Sequence, residues 1–160
     1  QSDHRDTISN MKSNFNQISL SGLLISNSYD SQTGFSSIGV SDYTNINFQY
    51  YIGSNMTQYT GLSWSPNGES FYFTEFDGIQ GGLFRYNLLD STIDTLKCSC
   101  NSSYYTVVSC SPDNNGLLAE RVDQKLEYNQ NGDFTGNVLK NSKIVEINLS
   151  DLSETILSIP

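Results

Sequence analysis

Only one alanine, Ala119, and one histidine, His4, occur among the 160 residues. With alanine scarce and serine, asparagine, threonine and tyrosine abundant, helices are disfavoured and strands joined by polar turns are favoured. The lone histidine lies in an opening stretch without pattern, which leaves a Ser-His-Asp or Cys-His arrangement nothing to build on. Basic residues are also few, eight against seventeen acidic ones, for a formal net charge of -9. Such a chain repels phosphate backbones and anionic lipid surfaces at long range, so nucleic acid is not an expected partner. No apolar run approaches the roughly eighteen residues that a membrane-spanning helix needs, and no membrane insertion is expected.

What is present reads as all-β. A hydrophobic content of 36% with 12% aromatic residues is enough to fill the core of one domain of this length. The stretch "YTGLSWSPNG" (59–68) returns 46 residues later as "YTVVSCSPDNNG" (105–116). At that interval Tyr59-Thr60 matches Tyr105-Thr106, Leu62 matches Val108, Trp64 matches Cys110, and Ser65-Pro66 matches Ser111-Pro112. This is an internal repeat. After each turn comes a strand, Ser70 to Phe76 in one copy and Leu117 to Val122 in the other. Third strands follow at Leu83 to Leu88 and Ile144 to Leu149, and fourth strands at Ile93 to Cys98 and Thr155 to Ile159. Upstream the pattern weakens, with Ile18 to Gly22 standing for a first strand and turn, and strands at Leu23 to Ser28, Ser37 to Ser41 and Ile46 to Ile52.

The expected organisation is a flexible lead over residues 1–13 and three four-stranded antiparallel units at about 14–54, 58–100 and 104–160. The third unit is longer, with about fifteen residues inserted around 124–141. Four-stranded units of 40 to 50 residues with a glycine-bearing first turn are blades of a β-propeller. Pro66 presets φ for the turn and Gly68 permits a positive φ, which places Trp64 and Cys110 between adjacent blades. A blade leaves a hydrophobic face that a like neighbour must cover, so the unit is copied.

The turn Trp64-Ser65-Pro66-Asn67-Gly68 with its aromatic following strand resembles the Trp-Ser-Pro-Asp-Gly blade motif of TolB-like propellers, which recurs in the propellers of dipeptidyl peptidase and prolyl oligopeptidase relatives. The likeness is good in the second unit. In the third, Cys110 replaces the tryptophan and the run Asp113-Asn114-Asn115-Gly116 lengthens the turn; in the first it is weak. The resemblance implies a partial propeller. Propellers close with about four to eight blades, so three cover about half a ring. The expectation is part of a larger chain, with two copies pairing into one ring as the alternative.

Chemistry-bearing motifs are thin. "GLSWS" imitates a nucleophile elbow but has Ser where the second Gly belongs and lies on a repeated strand. Asn129 to Asp133 lacks the leading Asp and closing Glu of a calcium loop, and three cysteines without a nearby histidine fit zinc poorly. No catalytic residue, cofactor or metal is therefore expected. A Cys98–Cys100 disulfide would be strained, so one of the two is expected to bond a cysteine outside this chain, and Cys110 to be a buried thiol. Sequons at Asn55, Asn101 and Asn148 point to a secreted or cell-surface glycoprotein; Asn55 and Asn101 share the repeat interval. Tyr50, Tyr51, Tyr59, Tyr104, Tyr105 and the 124–141 insertion form a candidate face for protein or sugar recognition, with an inter-blade cap as the alternative for Tyr59 and Tyr105. The leading functional reading is a non-enzymatic propeller module for protein binding or scaffolding. The alternatives are the propeller of a prolyl-oligopeptidase-class serine peptidase, and a structural subunit assembling into a ring or filament.

Overall fold

The computed structural model describes residues 12–19, 22–42, 45–55, 57–98 and 103–157, which form strands and turns with no helix among them. Twelve strands make three antiparallel meanders. Blade 1 contains β1 (Lys12–Ile18), β2 (Leu23–Tyr29), β3 (Ser36–Asp42) and β4 (Asn45–Ser54). Blade 2 contains β5 (Gln58–Trp64), β6 (Ser70–Phe76), β7 (Gly81–Asn87) and β8 (Thr92–Cys98). Blade 3 contains β9 (Ser103–Cys110), β10 (Gly116–Tyr128), β11 (Phe134–Asn148) and β12 (Glu154–Leu157). The fold is thus all-β, three four-stranded blades of a β-propeller.

The recurring serine explains the recurring turn. Ser65 Oγ donates to Asn67 Oδ1 and accepts from the Ser70 amide, at 2.6 and 3.0 Å, pinning the two strand ends, while the Gly68 amide closes onto the Ser65 carbonyl. Gly68 supplies the left-handed step at φ 72°. Ser111 repeats this, accepting from the Gly116 amide at 3.0 Å, and Asn114 takes the left-handed step at φ 59°. Both serines close the turn onto the residue five positions on, so the third turn is not lengthened as expected; Asn114 stands where Gly68 does. Asparagine tolerates that conformation better than other residues with a Cβ. In blade 1 the first strand precedes Ser19 and starts at Lys12, inside the stretch expected to be a lead.

Two cores join the blades. The first gathers Ile25, Ile38 and Val40 of blade 1 with Tyr59, Leu62, Trp64, Phe71, Phe73 and Tyr86 of blade 2. The second gathers Tyr72 and Leu83 of blade 2 with Tyr105, Val108, Leu117, Ala119, Val145 and Ile147 of blade 3. Side chains alternate along β6, so Phe71 and Phe73 turn to blade 1 while Tyr72 and Thr74 turn to blade 3. That strand is buried on both sides. Polar pins cross each seam: Asn27 Nδ2 donates to the Tyr59 carbonyl at 2.6 Å, and Thr74 Oγ1 donates to the Thr106 carbonyl at 3.3 Å.

The far side of blade 3 is open. Val107, Leu118 and Leu157 are 50%, 46% and 36% exposed there, beside Glu120. At the positions matching Val107, Leu118 and Glu120, blade 2 has Gly61, Tyr72 and Thr74, all packed against blade 3.

Candidate functional site

The second-to-third-strand hairpins and the connections between blades open at one end of the sheets. The tyrosines expected to form a face there are divided by the structure. Tyr59 and Tyr105 are buried and contribute to the two cores; they are not displayed. Tyr59 meets Phe73 edge-on at 5.8 Å, and Tyr105 Oη donates to Glu154 Oε2 at 2.8 Å. Both start an innermost strand and point into a seam, where a large ring with a polar tip is stabilised by burial and one hydrogen bond. Burial raises the Tyr105 phenol well above its ordinary pKa, and the adjacent Glu154 adds to this. Tyr104 is half-buried, stacked on Phe76 of blade 2 at 4.1 Å. Tyr50 and Tyr51 lie on β4, and their side chains fall outside the described residues.

The other expected sites lie apart from one another. Asn55 is exposed just beyond β4, and Asn101 falls outside the described residues. Asn148 ends β11, exposed, with Oδ1 accepting from both the amide and the hydroxyl of Ser150 at 2.8 Å. Cys98 is an exposed free thiol, so no disulfide to it is present in this chain; Cys100 lies outside the described residues. Cys110 is half-buried and packs against the second core, and burial raises its pKa. Among the described residues, no three His, Cys, Asp or Glu side chains converge as a metal site would require.

The feature that stands out is the expected 124–141 insertion. It is an elongation of β10 and β11 into a two-stranded arm. β9 pairs with β10 only as far as Asp123, and β12 pairs with β11 only over Ile144 to Ile147. From Gln124↔Leu139 to Tyr128↔Phe134 the two strands pair with each other alone. The tip is closed by Asn129, whose Oδ1 accepts from the Asn131 and Asp133 amides at 2.9 Å, with Gly132 at φ 84°.

Among the described residues, Gln124 ties the arm to the body. Gln124 is 4% exposed; its Nε2 donates to the Ile79 carbonyl of blade 2 at 2.6 Å and its Oε1 accepts from Asn137 Nδ2 at 2.9 Å. At the base Asp123 accepts from Lys143 Nζ at 2.8 Å and forms an ion pair with Arg121 Nε 3.4 Å away, and Lys143 holds its carboxyl below the ordinary range. Beyond that base the arm displays apolar groups. Tyr128, Phe134, Val138 and Leu139 are 55%, 41%, 46% and 60% exposed, and the two rings meet edge-on at 6.0 Å. The sequence carries a signal for this arm: Lys125 to Tyr128 alternates polar and apolar residues, and Asn131-Gly132 is a strong hairpin dipeptide.

No family model and no curated relative matches this chain. Solved structures do. A protein described as TolB from Agrobacterium tumefaciens is 14% identical, with a TM-score of 0.65 over 92% of this chain and 47% of that one. A nidogen/laminin complex is 12% identical, with a TM-score of 0.60 over 88% of this chain and 45% of that one. A prolyl endopeptidase is 9% identical, with a TM-score of 0.65 over 92% of this chain and 22% of that one. These likenesses support the propeller fold. The chain spans about half the length of the first two.

Proposed function

We propose that this chain supplies three successive blades of a larger β-propeller, one that acts outside the cytoplasm as a protein-binding or scaffold module without catalytic groups in these blades. The observation that carries this reading is the arm. A two-stranded ribbon has no further strand to cover its apolar side chains, and isolated hairpins are marginally stable. Exposed aromatic and aliphatic groups along it, with Tyr128 and Phe134 in contact near the tip and a buried glutamine at the root, have the character of a protein-contact anchor. The similar nidogen/laminin structure is itself a complex of two proteins, which supports protein recognition as a use of this fold. The sequons at Asn55, Asn101 and Asn148 support an extracytoplasmic setting. A peptidase propeller remains the alternative, and a Gly-X-Ser-X-Gly hydrolase domain in the same full-length chain would establish it.

The test compares the immobilised chain with its Tyr128→Ser/Phe134→Ser/Leu139→Ser variant in extracellular extract of the source cells, read by quantitative mass spectrometry. The reading expects at least one protein to be retained by the unaltered chain and lost with the variant. Equal retention by both would remove the arm from recognition.

A further inference from the structure

A cleft of about 540 Å³ opens between blades 2 and 3 at the end opposite the arm. Its size is ordinary for a small-molecule site. Tyr72 and Arg85 of blade 2 form one wall, because register pairs them on the face turned to blade 3. Asn114 and Asn115 of the β9–β10 turn and Asn148 of the β11–β12 turn form the other.

The hydrogen bonds already made decide what these groups can still offer. Asn114 Oδ1 accepts from Tyr72 Oη at 3.2 Å and from Cys110 Sγ at 3.5 Å, which leaves its amide nitrogen for the cleft. Asn148 Oδ1 is taken twice by Ser150, which again leaves the nitrogen. Asn115 Nδ2 donates one hydrogen to Asp113 Oδ2 at 3.0 Å, which leaves its second N–H and its oxygen. Arg85 is fixed along one edge, with Nε and Nη2 both on Asp94 Oδ2 at 3.0 and 2.6 Å. A fixed guanidinium and the carboxamide donors therefore converge with three acceptors, the Asn115 oxygen and the hydroxyl oxygens of Tyr72 and Ser150, whose hydrogens are already spent on Asn114 and Asn148. Donors in surplus select a ligand rich in oxygen acceptors, and a guanidinium among them favours a carboxylate. Asp94 offsets much of the Arg85 charge, and the chain as a whole is strongly acidic, so a dianion such as phosphate is penalised more than a monoanion. The acceptors at Asn115, Tyr72 and Ser150 suit hydroxyls.

We infer that this cleft binds a small hydroxylated carboxylate of sugar-acid size, the carboxylate lying between Arg85 and the amide nitrogens of Asn114 and Asn148. The site is independent of the arm at the other end, so it stands or falls separately from the protein-binding reading. It shares Asn148 with a sequon, and a glycan on that nitrogen would remove one donor.

The test uses unglycosylated chain from a bacterial host and two probes that differ only at one carbon, sodium gluconate and sorbitol, titrated at equal ionic strength by calorimetry. Saturable gluconate binding is expected, with sorbitol at least about tenfold weaker, the effect of one charge-assisted hydrogen bond. Arg85→Gln and Asn148→Asp should each weaken gluconate at least about tenfold. Both lie on the surface, and aspartate keeps the acceptor that Ser150 uses, so an unchanged thermal midpoint separates lost binding from lost folding. Equal binding of the two probes, no saturable gluconate binding, or unaltered binding by both variants would overturn the inference.

Discussion

Trp64 shows how single residues weld the blades. It meets Phe71 edge-on at 5.9 Å, and with Ile25, Ile38 and Val40 across the seam it is 7% exposed. Trp64→Ala should lower the unfolding free energy by about 3 to 5 kcal/mol, the range for large aromatic truncations in cores. Urea denaturation measures this, and emission of the unaltered chain should be blue-shifted from that of a solvated indole. Gly61 acts by absence. A Cβ there would meet Thr74 Oγ1 at 2.8 Å, the Val108 amide nitrogen at 3.0 Å and the Thr106 carbonyl oxygen at 3.1 Å, two of the three being backbone of the next blade. Gly61→Val should therefore force blades 2 and 3 apart and cost about 1 to 3 kcal/mol or more in the same assay. Trp64 in a seam was legible because the repeat put it beside the Ser-Pro turn. Gly61 was not, since an unshared glycine in a strand reveals a close approach only once its neighbours are known.

Among the elements, the arm is the part that sequence spacing located as an insertion without revealing its strands. Matching Leu117 to Val122 against a seven-residue strand in blade 2 ended the strand where the repeat ended, although β10 continues to Tyr128. The repeat dominated because it is long-range, while the alternation and the Asn-Gly turn are local. The strands of blade 2 were readable almost to the residue, since aromatic and β-branched runs bounded by glycine and asparagine leave little choice of register. The tyrosine face was harder, because a tyrosine at the start of an inner strand reads equally as surface or as seam, and burial decides. Gln124→Ala would leave the Ile79 carbonyl without its donor and is expected to cost about 1 to 3 kcal/mol. Amide exchange in 124–138 should accelerate in this variant while β6 is unaffected. Unchanged exchange in the arm would show that Gln124 does not tether it.

The whole molecule carries its acid and alkaline limits in its seams and on its open face. Tyr72 is pushed up to about 12 and Tyr105 is raised further, each chiefly by burial. A phenol whose folded pKa lies above its unfolded value stabilises the fold fully below about 10, and that contribution is lost as pH rises toward the folded value. Stability should therefore fall above about pH 10, with two phenolates appearing only on unfolding, as ultraviolet titration would record. Glu120 and Asp123 behave oppositely. Hydrogen bonds from Ser142 and Thr106 hold Glu120 below its ordinary 4.5, and Lys143 holds Asp123 below its ordinary 3.8. Their contribution is present above those values and is lost as pH falls below them.

Blade 2 is covered on both sides and blade 3 on one, so the chain is welded through its middle blade, with the arm projecting from the next. Amide hydrogen exchange of the intact chain, resolved by segment, tests this most directly. The expected result is slowest exchange in β5 and β6, intermediate exchange in β9 and the sheet portion of β10, and fastest strand exchange in 124–138. Exchange in β6 as fast as that in the arm would contradict it.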